Sequence, residues 1–371
     1  MKQEIKIVIS GGGTGGHVFP AIAIADALRQ KDKNINILFV GAKDKLEMER
    51  VPAAGYSIEG LPVTGFQRRL TYKNILFFYN LLLSMIRAVK ILRKFKPDVV
   101  VGVGGYASGP VVRAAATRGI PVLIQEQNSY AGVTNRLLAN KADRICVAYE
   151  GMEKYFPAEK VLLTGNPVRL DLHDIYGKRP EAKKFFRIKG DKKIMLVLGG
   201  SLGAGSINQV ISKNIGIIIE NGIELIWQTG RAGFNSAKLV ADKTGSEAVH
   251  AYEFVSRMDL AYAAADLVIS RAGAITVSEL CLTGKPAILV PSPNVAEDHQ
   301  TKNAMALVGE NAALMVKDAE SAEKLIPTAI DLMNDDKKME DLKKNISKMA
   351  LPGSAGQIAD EILKLVKPEQ E

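Results

Sequence analysis

The segment IKIVIS runs directly into GGGTGG near the start of the chain, and from Ile194 the segment IMLVLGG runs into SLGAGS. Each is an apolar, β-branched strand that empties into a glycine turn and then a helical pattern. A parallel strand buried on both faces reads as an unbroken aliphatic run, and glycine lets the chain turn tightly into the next helix. Such a strand–turn–helix unit opens a doubly wound α/β sheet. Its recurrence predicts two Rossmann-like halves, and 371 residues are too many for one ordinary core.

The remaining pattern agrees. Strands are predicted at Ile5–Ser10, Asn36–Val40, Asp98–Val103, Pro121–Gln125 and Arg144–Ala148. After a restart at Lys193 they follow at Ile194–Leu198, Ile223–Gln228, Ala248–Tyr252, Leu267–Ser270 and Ala287–Pro291. Helical stretches or long connections separate them, as a parallel sheet wrapped by helices requires. Gly165-Asn166-Pro167-Val168 marks the seam, because proline breaks pairing after a strand. The expected division is a first domain over 1–166, a second over 167–346, and a segment 347–371 whose last helix packs back on the first domain. Gly177–Lys193, rich in Lys, Arg and Pro, reads as a polar connector.

A formal charge of +9 calls for an anionic partner: nucleic acid, anionic lipid or a phosphorylated substrate. Aromatics at 6% with one Trp disfavour a base-stacking platform, and therefore nucleic acid. Cys146 and Cys281 sit among aliphatic residues as core thiols. Two cysteines and four histidines give neither zinc spacing nor a disulfide framework, so no metal is expected. The N-terminal residues lack the apolar core and cleavage site of a signal peptide, which predicts a protein kept in a reducing cytoplasm. The stretch Ile75–Ile86, broken by Asn80 and Ser84, falls short of the roughly 20 residues needed to cross a bilayer. Arg68, Arg69 and Lys73 precede Ile75, Leu76, Phe77, Phe78 and Tyr79, and Arg87, Lys90, Arg93 and Lys94 follow. This is either a peripheral contact with an anionic membrane or a core helix with a solvated basic end.

Four segments carry candidate chemistry. Gly11–Gly16 leads into His17 and opens a helix, a place suited to polar or anionic groups. No Gly-Lys-Ser/Thr follows, so it is not a P-loop. The second strand ends Phe39-Val40-Gly41-Ala42-Lys43 without the acidic residue of a dinucleotide site. His17 reads as a proton acceptor in the turn or as a helix-start residue satisfied by backbone. Gly199–Gly205 can hold a diphosphate on backbone N–H groups without metal, with Ser201 adding a hydroxyl. In Ser270–Glu279, Thr276 and Glu279 have the spacing of a capping box, but a carboxylate there can equally hold both hydroxyls of a ribose. Between Pro291 and Asn303, Gln300 and Asn303 suit a neutral, hydroxyl-rich ligand or serve only as surface caps.

Taken in order, GGGTGGHVFP, Gly104–Pro110, Glu126-Gln127-Asn128, Gly165–Arg169, Gly199-Gly200-Ser201, Arg271–Glu279 and His299–Ala304 resemble the MurG family. These are the N-acetylglucosaminyltransferases that convert lipid I to lipid II in peptidoglycan synthesis. The resemblance covers nearly the whole chain. It implies a GT-B fold, two Rossmann-like parallel-sheet domains facing a cleft, with donor mainly on the C-terminal half and acceptor on the N-terminal half. It implies inverting transfer without metal or cofactor at the cytoplasmic face of the cell membrane, with cell-wall complex partners. By motif match, Thr14, Gly15, Gly16, Asn128, Arg169, Ser201, Val255, Ala274, Ile275, Thr276, Val277, Ser278, Glu279, Gln300 and Asn303 would contact UDP-N-acetylglucosamine. Arg169 and Ser201 fall at the diphosphate, Glu279 at the ribose, Val255 at the uracil, and Asn128, Gln300 and Asn303 at the sugar. His17 and Glu126 are the candidate bases. This chain departs from the family at Gln125, where histidine is common, and at Leu202, where glutamine is frequent.

Three other readings share parts of this pattern. One is a GT-B transferase with another acceptor, one a non-catalytic nucleotide-sugar or nucleic-acid binder, and one a sugar-nucleotide epimerase with the same two-Rossmann layout.

Overall fold

A computed structural model describes residues 4–63, 73–200, 203–295 and 298–366, without the side chains of 73–76 and 170. It divides into two compact units, Met1–Arg169 with Gly353–Glu371, and Leu170–Pro352. The first holds β1 (Lys6–Ser10), β2 (Asn36–Ala42), β3 (Ser57–Leu61), β4 (Val99–Gly102), β5 (Val122–Glu126), β6 (Arg144–Val147) and β7 (Val161–Leu163). They form one parallel sheet in the order β3-β2-β1-β4-β5-β6-β7. The second holds β8 (Ile194–Leu198), β9 (Glu224–Gln228), β10 (Val249–Tyr252), β11 (Leu267–Ser270), β12 (Ala287–Leu289) and β13 (Leu314–Met315). Its order is β10-β9-β8-β11-β12-β13, again parallel. In each sheet the order reverses at the first strand, between β1 and β4 and between β8 and β11. There the loops part to opposite faces and leave a crevice at the carboxyl edge.

Both sheets are covered on two sides, which is why their strands read as aliphatic runs. Ile7 and Ile9 of β1 pack against Ile24 and Leu28 of the helix Gly15–Lys31, while Val8 faces the layer holding Ala88 and Leu92. Met195 and Val197 of β8 meet Ile207 and Ile211; Ile194 and Leu196 meet Leu260 and Leu280. All ten predicted strands are present. The three unforeseen ones are SIEGL, interrupted by a charge and a glycine, and two of three and two residues.

The predicted connector is corrected: Arg179–Phe186 is a helix. Ala182 and Phe186 enter the second unit's core, and Arg179 pairs with Asp266 through two bonds of 2.8 and 2.9 Å. Half of its eight residues are charged and Phe185 points outward, 48% exposed, so the two buried positions show no apolar face in the sequence. The chain passes between units at Arg169/Leu170 and returns at Pro352/Gly353, beyond the helix Asp336–Lys348. The helix Ser354–Lys364 then adds Ala355, Ile358, Ala359 and Ile362 to the first unit's core.

Candidate functional site

In the first unit the turns after β1 and β4 meet backbone to backbone. A Cβ on Gly105 would stand 2.3 Å from the Gly12 carbonyl oxygen, so no side chain is tolerated at that crossing. Thr14 is extended, and the helix begins at Gly15 with no side-chain cap. Half-buried His17 sits in the first helical turn, its Nδ1 3.3 Å from Thr14 Oγ1. The opposite ring edge abuts Gly104, where a Cβ would lie 2.8 Å from Cδ2 and 2.9 Å from Nε2. The imidazole is thus placed by both turns of the crevice, with Gly15 and Gly16 beside it.

Glu126 ends β5 and is 1% exposed. Its Oε1 accepts from the Asn128 N–H at 3.0 Å and Asn128 Nδ2 at 3.2 Å. Its Oε2 accepts from the Gly132 N–H and Asn135 Nδ2, both at 2.9 Å. Both oxygens are engaged in shaping the loop that carries Asn128. Behind it lies an amide network that sequence reasoning missed. Gln127 Nε2 donates to the Val103 carbonyl at 2.8 Å, Gln125 Nε2 to Asn166 Oδ1 at 3.2 Å, and Asn166 Nδ2 to the Gln127 carbonyl at 3.0 Å. Gln125 is fully buried within this network. Arg169, half-buried, closes the unit.

In the second unit the turn after β8 presses on the end of β9. Gly203 has φ +87°, and a Cβ there would stand 2.6 Å from the Thr229 carbonyl oxygen. Ser201 and Leu202 lie outside the described residues. After β11, Arg271–Gly273 leads to the helix Ala274–Thr283, whose cap residue is Gly273 without a side-chain bond. This removes the capping-box reading, since Thr276 falls inside the helix and not at its cap. Glu279 instead accepts from the hydroxyl of fully buried Tyr262 at 3.0 Å and remains half-exposed on the second turn. Ile275, Thr276 and Ser278 are also half-buried, whereas Ala274 and Val277 face the core. Val255 is buried and its N–H donates to Gln228 Oε1 at 2.9 Å. Gln300 Oε1 accepts from the Ser292 N–H at 2.8 Å, and Asn303, 1% exposed, donates to the Ala272 carbonyl at 3.3 Å. Asn303 is therefore no surface cap.

Arg271 is the member of this site not assigned from sequence. It donates to the Val290 and Pro291 carbonyls at 3.0 and 3.3 Å, to Ser206 Oγ at 2.8 Å, and to Asp318. Burial raises the Asp318 pKa, but hydrogen bonds from Ser206 and Arg271 outweigh it and hold the carboxyl below its ordinary value. One guanidinium thereby ties together the loops after β11 and β12 and the helix after β8. The available signal was a lone arginine in an otherwise small-residue turn, Ser270-Arg271-Ala272-Gly273.

No cap depends on Glu279, but the buried Tyr262 hydroxyl does, so the variant that separates ligand binding from stability is one that keeps an acceptor. Glu279→Gln should raise the KM of a ribonucleotide donor more than it lowers kcat, with thermal stability changed little. A loss of melting temperature with intact kinetics would contradict this.

Residues 7–147 match the glycosyltransferase family 28 N-terminal domain and residues 194–358 match its C-terminal domain. A Parabacteroides distasonis protein is 53% identical over 98% of this chain and 99% of its own length. A Bacteroides thetaiotaomicron protein is 51% identical over the whole of both chains. Both are called UDP-N-acetylglucosamine--N-acetylmuramyl-(pentapeptide) pyrophosphoryl-undecaprenol N-acetylglucosamine transferase. The crystal structure of Acinetobacter baumannii MurG superposes with TM-score 0.76 at 27% identity, covering 97% of this chain and 99% of that one. A Neisseria meningitidis UDP-GlcNAc 2-epimerase shares the fold alone, at TM-score 0.66 and 16% identity over 98% and 100% of the two chains.

Proposed function

Because the chain belongs to glycosyltransferase family 28, we propose that it transfers N-acetylglucosamine from UDP-N-acetylglucosamine to undecaprenyl-pyrophosphoryl-N-acetylmuramyl-pentapeptide, making lipid II for peptidoglycan. Full-length identity of 53% to a transferase so named is the observation that carries this reading. An epimerase shares only the fold, and its resemblance is far weaker.

In the proposed mechanism the second unit holds the donor and the first holds the acceptor. The muramyl C4 oxygen attacks the anomeric carbon opposite UDP, the bond from that carbon to the β-phosphate oxygen breaks, and the configuration inverts. His17 takes the hydroxyl proton; Glu126, with both oxygens occupied, shapes the acceptor loop instead. Charge on the departing diphosphate is met by the turn Gly199–Gly205, the N-terminus of the helix Ala274–Thr283, and Arg169 and Ser201. The ribose hydroxyls bind Glu279, the uracil lies at Val255, and the sugar is read by Asn128, Gln300 and Asn303. Thr14–Gly16 and Ala274–Ser278 supply the remaining donor contacts.

Radiolabelled UDP-N-acetylglucosamine incubated with a lipid I analogue should give a product heavier by one N-acetylhexosamine. Excess EDTA should leave the rate nearly unchanged, because backbone dipoles do the work of a metal. Donor consumption without acceptor, or loss of rate restored by magnesium, would overturn the reading.

The proposed acceptor is lipid-linked, and one helix offers the contact it needs. Among the described residues no helix is long and apolar enough to cross a membrane. In Lys73–Phe95, Ser84, Ala88, Ile91 and Leu92 face the core, while Phe78, Leu82 and Ile86 are 62, 61 and 47% exposed. Phe77, edge-on to Phe78 at 5.4 Å, is only partly exposed. Lys90, Arg93 and Lys94 continue the outward side. An apolar stripe followed by basic residues suits peripheral binding at the cytoplasmic face of the cell membrane, with about 1 kcal/mol per basic residue near an anionic surface. Arg68 and Arg69 lie outside the described residues. Phe78→Ser with Leu82→Ser should release the protein from anionic vesicles in flotation assays without unfolding it. Retention of the double variant would remove this surface from the proposal.

A further inference from the structure

Glu47 is 1% exposed and belongs to none of the motifs above. It starts the short helix Glu47–Ala53 and turns its carboxylate back to the carboxyl edge of the first sheet. Oε2 accepts from the Gly13 N–H at 2.9 Å and Oε1 from the Ala42 N–H at 2.8 Å. The fit is close on both sides. A Cβ on Gly12 would stand 2.0 Å from Oε1, and one on Gly41 would stand 2.5 Å from Cγ. Gly12 also carries φ +151° and has Gly105 against its carbonyl, so the first glycine turn is clamped between Glu47 and the turn after β4. Among the described residues no cation pairs with Glu47.

A glycine turn at a helix start ordinarily offers its N–H groups to phosphate. Here the Gly13 N–H is already taken by a carboxylate of the same chain. Gly13 itself is exposed, but a phosphate there would meet an N–H already taken and a second anion, the buried Glu47 carboxylate, directly behind it. The same carboxylate spans the end of β2, where a dinucleotide would need its ribose contact.

We propose that Glu47 is a positioning residue that fixes the first glycine turn and keeps phosphate off it, so that this turn receives neutral, hydroxyl-bearing sugar. The two glycine turns then divide their labour, the second facing an anion and the first a sugar. The kinetic arm of the test rests on the transferase reading above; the anion arm does not. Crystals of the full chain soaked in tungstate should show no anomalous peak within hydrogen-bond reach of the Gly13 nitrogen, whereas Glu47→Ala should gain one. Glu47→Gln, which keeps the shape but turns an N–H₂ toward one amide, should lower kcat at least tenfold while the dissociation constant for UDP alone stays within twofold. That split separates positioning from general loss of fold, and if Glu47→Ala does not fold, Glu47→Gln carries both arms. A tungstate peak at Gly13 in the wild type, or wild-type turnover in Glu47→Gln, overturns the proposal. A wild type that transfers no sugar would sink the transferase reading and leave the anion arm standing.

Discussion

His17→Ala should lower kcat by roughly 10²–10⁴-fold, the usual cost of removing a positioned base, while donor affinity measured without acceptor stays near the wild-type value. The expectation rests on where the ring is held. Its Nδ1 is 3.3 Å from Thr14 Oγ1, and its Cδ2–Nε2 edge abuts Gly104. An imidazole has an unperturbed pKa of about 6.5 and can accept a proton near neutrality. Being only half-buried, His17 contributes little packing, so the melting temperature of the alanine variant should be close to wild type. Gly104→Ala supplies a companion measurement. Its Cβ would press on the ring, and Gly104 carries φ +92°, so the imidazole must move and kcat should fall with the histidine still present. Both rates are read from product formation under saturating donor and acceptor. Wild-type kcat in His17→Ala would take the base role away from it.

The parts that sequence made legible share one property: they are local. A β-branched run ending in glycines specifies a strand and a turn within a dozen residues, so the two sheets and their switch-point turns could be read directly. What escaped depends on distant partners. Glu47 reaches a turn that precedes it by 34 positions, and Arg271 finds Asp318 47 positions on. Nothing near either residue announces the partner. The box spacing of Thr276 and Glu279 left two readings open, and the cap reading falls because the helix is capped at Gly273 and Glu279 meets the buried hydroxyl of Tyr262. The connector around Arg179 failed likewise, since two buried side chains beside four charged ones in an eight-residue helix leave no visible period.

Glu126 behaves as a structural carboxylate, and its replacement should show that in a folding measurement before it shows in rate. Removing it takes the carboxylate acceptor from the Gly132 and Asn128 N–H groups and leaves Asn135 Nδ2, on a residue 3% exposed, with only the Gln125 carbonyl at 3.3 Å. Hydrogen bonds to a charged group contribute about 1.5–3 kcal/mol each, and a buried donor left unpaired costs about 1–3 kcal/mol. Even with partial relaxation, Glu126→Ala should lose on the order of 4 kcal/mol, a large part of the roughly 5–15 kcal/mol that holds a domain folded. For a unit of this size that is a fall in Tm of roughly 8–16 °C, measurable by calorimetry. Glu126→Gln should fall less, because one oxygen still accepts while the amide nitrogen opposes a donor. Below the transition, transfer per folded molecule should drop less in Glu126→Gln than in His17→Ala, since the glutamine still holds the loop that carries Asn128. Loss of turnover in Glu126→Gln with an unchanged Tm, beside a His17→Ala variant that keeps most of its rate, would reverse the two roles and make Glu126 the base.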